Sequence, residues 1–350
     1  MIDLKFVEKY INSVSPTGFE MILGGQKIWI EEASKYCIKV DTDNYGNAFA
    51  ITGNINSNYT VVIDAHCDEI SWLVKNIDKD GFLSVIKNGG SDHQIAPSMR
   101  VNLWGTKGKV EGIFGHPAIH ISDRPDKIEL KNLFIDIGAC SDVEVKEMGI
   151  EVGTVCTFQG DYMKLGNNFI TGRSLDDKIG GCINIEILKQ LKENNINLPF
   201  KLVIVNAIQE EIGLKGAEMA SHSIRPDIAF IIDVTHEDSS PVYKDKLHKA
   251  GNGCVLSVAP AVHNNLLKYA RDIADKNEIK YEMGACSRIT GTNTDSYSYP
   301  FGCPSMLISL PLRYMHTTVE TVHIGDIEST IDMIYNAIIN LEENQLFKYK

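Results

Sequence analysis

The chain has 350 residues, of which 43% are hydrophobic and 23% are charged, as in ordinary globular proteins. These proportions exclude a disordered chain and a collagen-like or low-complexity repeat, and the length allows two domains or one domain with an insertion. Lys and Arg total 34 against 46 Asp and Glu residues, which gives a formal net charge of -12. We therefore expect no nucleic-acid partner, because binding a phosphate backbone requires a basic surface.

Cysteine spacing and apolar runs bear on the cellular compartment. The eight cysteines are scattered singly without a C-x-x-C pair, so neither a disulfide framework nor a zinc ribbon is expected. The first residues lack the basic and apolar stretches of a signal peptide, and no apolar run approaches the roughly 18–20 residues that span a bilayer. We predict a cytoplasmic protein in a reducing compartment, with no membrane partner.

The N-terminal region is predicted to form two helices. Apolar residues recur at helical spacing over residues 6–14, and the segment 15–18 interrupts them. Thr17 and Glu20 have the spacing of a capping box, which predicts a second helix running toward Lys35.

Buried strands alternate with helices along most of the remaining chain. Three β-branched runs without polar alternation, at residues 60–63, 201–205 and 228–232, are typical of strands buried on both faces. Helices are predicted over residues 178–193 and 327–341, with Asp326 as the N-cap of the second. This alternation predicts a three-layer α/β fold with helices on both faces of the sheet.

Residues 70–162 have a different pattern. Turn sequences at 78–81 and 105–108 separate short alternating strands, and helical periodicity is weak before residues 143–148. We predict a β-rich domain at 70–162, inserted into an α/β catalytic domain made of residues 1–69 and 163–350.

Several histidines and carboxylates are predicted to lie beyond the carboxyl ends of the buried strands, where open α/β sheets bind ligands. Taken singly, each has an ordinary structural interpretation, such as a helix cap or a solvated helix start. Together they form a set of metal donors with one additional carboxylate: His66, Asp68, Asp176, Glu210, Glu211, Asp233 and His316.

The number of donors favours two metal ions. If Asp176 bridges them, two histidines and three carboxylates supply each ion with one His and two carboxylates, which leaves a position for water, as in catalytic zinc sites. Two ions roughly 3.5–4 Å apart occur in aminopeptidases and other hydrolases, where a bridging water loses its proton near neutral pH and becomes the nucleophile. Glu210, adjacent to the donor Glu211, is the candidate general base.

Six segments carry a family resemblance over nearly the full length: residues 15–20 (SPTGFE), 65–70 (AHCDEI), 136–139 (DIGA), 175–178 (LDDK), 209–217 (QEEIGLKGA) and 312–316 (LRYMH). On these motifs the chain resembles the glutamyl aminopeptidase and tetrahedral aminopeptidase family of dinuclear metallopeptidases. Members of this family are also labelled deblocking aminopeptidase or endoglucanase-like.

The resemblance implies roles for individual residues. It implies that Glu210 is the general base and that Asp68 orients His66 through its second ring nitrogen. It also implies two metal sites that share one carboxylate: His66, Asp176 and Glu211 at the first, and Asp176, Asp233 and His316 at the second.

The resemblance also implies an architecture and an assembly. The family fold is a phosphorylase/hydrolase-like α/β domain with an inserted small β-barrel-like domain that serves in dimerisation. A homodimer building to a dodecamer is therefore expected.

The sequence departs from the family pattern in places. Cys67 stands where Met is common, Lys178 where Arg is common, and the segment 291–296 differs around Thr294 and Asp295, the expected substrate-binding residues. Cys67 is an alternative soft metal donor, although its side chain should point away from that of His66 along a strand. We expect two divalent ions, zinc first, with cobalt or manganese as alternatives, since a His and carboxylate set accepts all three.

The predicted function is a metal-dependent aminopeptidase that hydrolyses N-terminal residues from short peptides. One alternative is a related dinuclear amidohydrolase or deblocking enzyme acting on acylated amino acids or blocked peptides. Another is a catalytically inactive binding homologue, although all the proposed donors and the base are chemically competent. A two-carboxylate glycosidase is disfavoured because it has no need of a histidine pair.

Overall fold

The structure of the protein is a computed structural model that describes residues 1–120, 128–237 and 248–349. Parts of both predicted domains, at 121–127 and 238–247, lie outside the described residues. The helices are α1 Leu4–Ile11, α2 Glu20–Leu23, α3 Gly25–Ala33, α4 Asp142–Glu147, α5 Leu175–Glu193, α6 Lys215–Ile224, α7 Asn264–Lys276, α8 Thr294–Phe301 and α9 Ile324–Ile339.

The strands divide between a large sheet and a barrel. Those of the sheet are β1 Lys39–Thr42, β2 Ala48–Gly53, β3 Thr60–His66, β10 Met163–Leu165, β11 Phe169–Gly172, β12 Lys201–Ala207, β13 Ile228–His236, β14 Cys254–Val258, β15 Tyr281–Ala285, β16 Ser305–Arg313 and β17 Glu320–His323. Those of the barrel are β4 Ser71–Ile77, β5 Leu83–Asn88, β6 Arg100–Gly105, β7 Gly108–Phe114, β8 Phe134–Asp136 and β9 Val155–Phe158.

The centre of the sheet consists of four neighbouring parallel strands, in the order β12-β3-β13-β16. Every residue of β3 is buried, because helices cover the sheet on both sides. Helix α5 packs against β3 and β13 on one side, while α6 packs on β12 and α8 packs on β13 and β16 on the other. The three-layer α/β prediction is confirmed.

Two predicted helix caps are wrong. Gly24, with φ of 95°, separates α2 from α3, and Phe19 is the N-cap of α2 without a side-chain capping bond. The Thr17 hydroxyl instead donates to Asp68 at 2.8 Å. At the C terminus the N-cap of α9 is His323, whereas Asp326 lies inside the helix and accepts from distant backbone N–H groups.

The barrel is closed in the strand order β4-β5-β8-β7-β6-β9. Trp72 fills its core and meets Phe114 and Phe158 edge-on, with ring centroids 5.3 and 5.9 Å apart. All six strands fall within residues 71–158, inside the predicted insertion. The exact division into domains and a dimerising role for the barrel stay predictions. Among the described residues, no helix combines the length and apolar character needed to cross a membrane.

Candidate active site

The carboxyl ends of the central strands meet at one cavity of about 660 Å³. Strand β3 ends at His66, the segment after β12 carries Glu210 and Glu211, β13 carries Asp233, and His316 follows β16. These residues line the cavity together with Asp176 from the start of α5. The structure therefore brings together the five predicted metal donors and the predicted base.

Asp176 lies at the centre of the donors. Its Oδ1 is 3.1 Å from His66 Nε2, and its Oδ2 is 3.2 Å from His316 Nε2. The His316 ring nitrogen is also 3.4 Å from Glu211 Oε1. Both carboxylate oxygens of Asp176 thus face an imidazole, which is the arrangement a bridging ligand requires.

The donors form two groups, each with ligand atoms within 4.8 Å of one another: His66, Asp176 and Asp233 in one, and Asp176, Glu211 and His316 in the other. This partition differs from the pairing implied by the resemblance, which placed Glu211 with His66 and Asp233 with His316. The reason is strand adjacency. In the β3–β13 register Ile231 pairs with Asp64, so that Asp233 lies beside His66.

The electrostatics of these side chains fit a cationic ligand. Burial raises the pKa of Asp233 to about 8, and repulsion by Asp176 and Glu211 adds to the effect. Burial alone would also raise the pKa of Asp176, yet hydrogen bonds from His316 and His66 hold it well below its usual range. A divalent cation would supply the positive charge that these crowded carboxylates lack. The nitrogen and oxygen donors present are those of zinc and similar ions.

Asp68 lies beneath the donors and is fully buried. Its carboxylate accepts from the backbone N–H groups of Glu210 at 2.9 Å and Glu211 at 3.2 Å. The Nδ1 atom of His66 is 3.2 Å from the Asp68 carbonyl oxygen and 3.4 Å from its carboxylate. Asp68 therefore contacts the second ring nitrogen of His66 and also the backbone of the predicted base.

Glu210 reaches the cavity with a side chain that belongs to neither donor group. Burial is the main cause that raises its pKa to about 9; the charge of His66 opposes this effect, and repulsion by Asp233, Asp68 and Glu211 adds to it. Such a carboxyl group is able to hold and release a proton.

The predicted substrate residues occupy different environments. Asp295 lines the cavity, and its carboxylate accepts from the Thr290 N–H at 2.9 Å and the Gly291 N–H at 3.3 Å. Thr294 is fully buried behind it and hydrogen-bonds Thr292. Cys67 lies in the hydrophobic core of the α/β domain and in neither donor group.

Two features of the site were not predicted from the sequence. Gly90, two residues after β5 of the barrel, lies against His316: a Cβ at this position would be 2.7 Å from the imidazole ring and would force it to move. Glu320 accepts hydrogen bonds from the backbone of Asp176 and of His316. The sequence signals that were available for these two features were the Gly-Gly pair at 89–90 and an acidic residue four positions after His316.

The chain is similar to known proteins over nearly its whole length. The sequence profile of the M42 glutamyl aminopeptidase family matches residues 46–333. Lysyl aminopeptidase of Pyrococcus furiosus is 31% identical over 340 residues, which cover 95% of this chain and 96% of that protein.

Solved structures match over nearly the whole chain as well. TET aminopeptidase from the marine sediment archaeon Thaumarchaeota archaeon SCGC AB-539-E09 has a TM-score of 0.91 at 27% identity, covering 97% of this chain and 96% of that one. The Pyrococcus horikoshii TET1 peptidase, which can assemble into a tetrahedron or a large octahedral shell, has a TM-score of 0.85 at 28% identity, covering 97% and 99%. The resemblance inferred from the motifs is confirmed, and the chain belongs to the M42 glutamyl aminopeptidase family.

Proposed function

We propose that the chain is a metal-dependent aminopeptidase that removes N-terminal residues from short peptides. One observation carries the proposal: the buried Asp176 carboxylate is shared by two donor groups in the cavity that also contains Glu210. The names of relatives, lysyl aminopeptidase and TET aminopeptidase, favour the same activity.

We assign two divalent ions to the two donor groups, with zinc as the first candidate and cobalt or manganese as alternatives. His66, Asp176 and Asp233 would hold one ion, and Asp176, Glu211 and His316 the other. When bound, such ions polarise a carbonyl oxygen and lower the pKa of water. Asp68 then fixes the His66 ring and the backbone of Glu210 through the contacts given above.

Glu210 is assigned as the general base. Its carboxylate accepts a proton from the attacking water and returns it to the amino group that leaves when the peptide bond breaks. Glu210 has its pKa of about 9 when no cation is bound beside it. Nearby positive charge lowers the pKa of a carboxyl group, which moves Glu210 toward the range suited to a base at neutral pH.

The cavity volume suits the end of a short peptide, since sites for small ligands typically enclose about 300–1,000 Å³. Asp295 lies in the cavity wall and is the proposed substrate contact. Thr294 lies behind it and would contribute indirectly, through its hydrogen bond to Thr292. Polar and apolar side chains share the remaining wall, among them His248, Ser257, Leu307 and Ser309.

Assembly and location are part of the same proposal. Known TET structures include a dodecamer, and we propose a homodimer that builds to a dodecamer, with the inserted barrel serving in dimerisation. We also propose a cytoplasmic location. Light scattering on the purified protein tests the assembly, because a monomer in solution would contradict it.

The activity is tested with a panel of aminoacyl-p-nitroanilides on metal-reconstituted protein, beside N-acetylated versions of the same substrates. Cleavage of the free-amine set alone is the expected result and also ranks the side chains accepted. Cleavage of the acetylated set would favour a deblocking enzyme. No cleavage of either set with two metals bound would refute the peptidase proposal and favour an inactive binding homologue.

A further inference from the structure

Glu320 is a buried carboxylate that lies beside the donors without being in either donor group. It is the first residue of β17 and only 2% exposed. Its Oε1 accepts from the His316 N–H at 2.8 Å, and its Oε2 accepts from the Asp176 N–H at 3.1 Å. One side chain therefore joins the backbones of two donor residues that are far apart in sequence.

We propose that Glu320 is a positioning residue that fixes the backbones of Asp176 and His316, so that their side chains face each other across the metal centre. The proposal rests on the metal-dependent function proposed above. Glu320 acts through these two donors and is not among the residues that line the 660 Å³ cavity.

The backbone of the His316 segment requires such support. Tyr314 and His316 have φ angles of 58° and 61°, in the left-handed region that residues with a Cβ rarely adopt. Glu320 lies four residues further along, so its bond to the His316 N–H closes the loop between β16 and β17. The loop conformation that directs the imidazole toward Asp176 is thus tied to one carboxylate oxygen.

The second oxygen reaches the other donor because of strand pairing. Glu320 is paired with Gly172 at the end of β11, and the chain runs from there to Asp176 at the start of α5. Burial, with repulsion by Asp176, raises the pKa of Glu320 to about 8, whereas the hydrogen bonds from the backbone N–H groups of Asp176 and His316 favour its charged form. A buried N–H group needs an acceptor, so losing either oxygen of Glu320 would leave the backbone N–H of Asp176 or of His316 without one.

Asp68 shows the same arrangement on the other side of the site. Its carboxylate accepts from the backbone N–H groups of Glu210 and Glu211, just as Glu320 accepts from those of Asp176 and His316. Two carboxylates outside the donor groups therefore hold the backbones of four functional residues. Partners of metal ligands typically change metal affinity by about 10- to 100-fold when they are altered.

The test compares Glu320→Gln with Asp326→Asn. The first variant keeps the side-chain volume but replaces one accepting oxygen by an amide that faces an N–H group. Asp326 is a matched control, because it is also fully buried and accepts from the backbone N–H groups of Gly251 and Gly253 but belongs to neither donor group.

Metal-free protein is titrated with Zn²⁺ against a chromophoric chelator, and with Co²⁺ by its visible absorption. We expect Glu320→Gln to weaken Zn²⁺ binding by about 10- to 100-fold and to alter the Co²⁺ spectrum, while Asp326→Asn binds both ions as the wild type does. Wild-type affinity and spectrum in Glu320→Gln would overturn the proposal. Equal weakening in both variants would also overturn it, since the effect would then reflect general stability.

Glu320→Asp keeps the test decisive if the glutamine variant does not fold. This change retains the charge but shortens the side chain by one methylene, so both N–H groups cannot be reached together, and weakened Zn²⁺ binding is again expected. Wild-type affinity in this variant would overturn the proposal. Metal affinity is measured without substrate, so the result decides the role of Glu320 whether or not the wild-type protein cleaves peptides.

Discussion

Replacing Glu210 with glutamine removes the proposed base with little change in shape. Glu210 is 8% exposed, and within the described residues its carboxyl group makes no hydrogen bond that the amide would break. The bond from its backbone N–H to Asp68, at 2.9 Å, does not involve the side chain. We therefore expect the variant to fold normally and to retain both metal ions.

The expected effect falls on turnover. A positioned general base typically contributes about 100- to 10,000-fold to the rate. At 1.36 kcal/mol per tenfold change, this corresponds to about 3–5 kcal/mol of transition-state stabilisation. We expect kcat to fall within that range and KM to change little, because Glu210 moves a proton rather than binding the peptide.

The assay measures kcat and KM on the best aminoacyl-p-nitroanilide, with metal content determined on the same sample. Glu218→Gln is the matched control, since it makes the same chemical change on the exposed surface of α6 and should retain wild-type turnover. Turnover of Glu210→Gln within tenfold of the wild type would refute the assignment. Loss of metal in this variant would refute it as well, because Glu210 would then be a ligand.

Three further predictions concern the donors and their supports. Asp176→Ala should lose both metal ions together, because the residue belongs to both donor groups; elemental analysis that finds one ion retained would show that it does not bridge. Burial, with repulsion by Asp68, raises the pKa of Glu20 from 4.5 to about 8. The folded state therefore keeps a proton that the unfolded state releases, and the free energy of unfolding should fall as pH rises from 4.5 to 8. In urea unfolding of the metal-free protein at pH 7, the free energy of unfolding of Glu20→Gln should exceed that of the wild type by about 3 kcal/mol. A free energy of unfolding that falls with pH as steeply in the variant as in the wild type would contradict this prediction. Thr17→Val removes the 2.8 Å hydrogen bond to buried Asp68 and should cost about 1–3 kcal/mol of unfolding free energy, whereas an unchanged urea midpoint would show that the bond contributes nothing.

Hydrophobic patterning predicted the sheet because burial on both faces demands continuous apolar strands. The runs at 60–63, 201–205 and 228–232 all lie in central strands of the sheet. Local polar patterns were less reliable. Thr17 and Asp326 have the sequence context of helix caps, yet each bonds a group far away in the chain. A short polar side chain binds whichever buried partner the tertiary fold brings near, and local spacing does not reveal that partner.

The sequence alone determined which residue types line the site. Histidines and carboxylates at the ends of buried strands converge because the carboxyl ends of parallel strands share one edge of the sheet. It also identified the family through its motifs, which the profile match at 46–333 confirms.

Only the tertiary structure decided how the donors are shared and held. The order β12-β3-β13-β16 places Asp233 beside His66 and leaves Glu211 to face His316, a pairing that depends on strand adjacency rather than on chain order. The pairing of β11 with β17 brings Glu320 to the Asp176 backbone in the same way. The residue types are given by the sequence, but contacts between distant segments form only when the strands pair in the folded sheet.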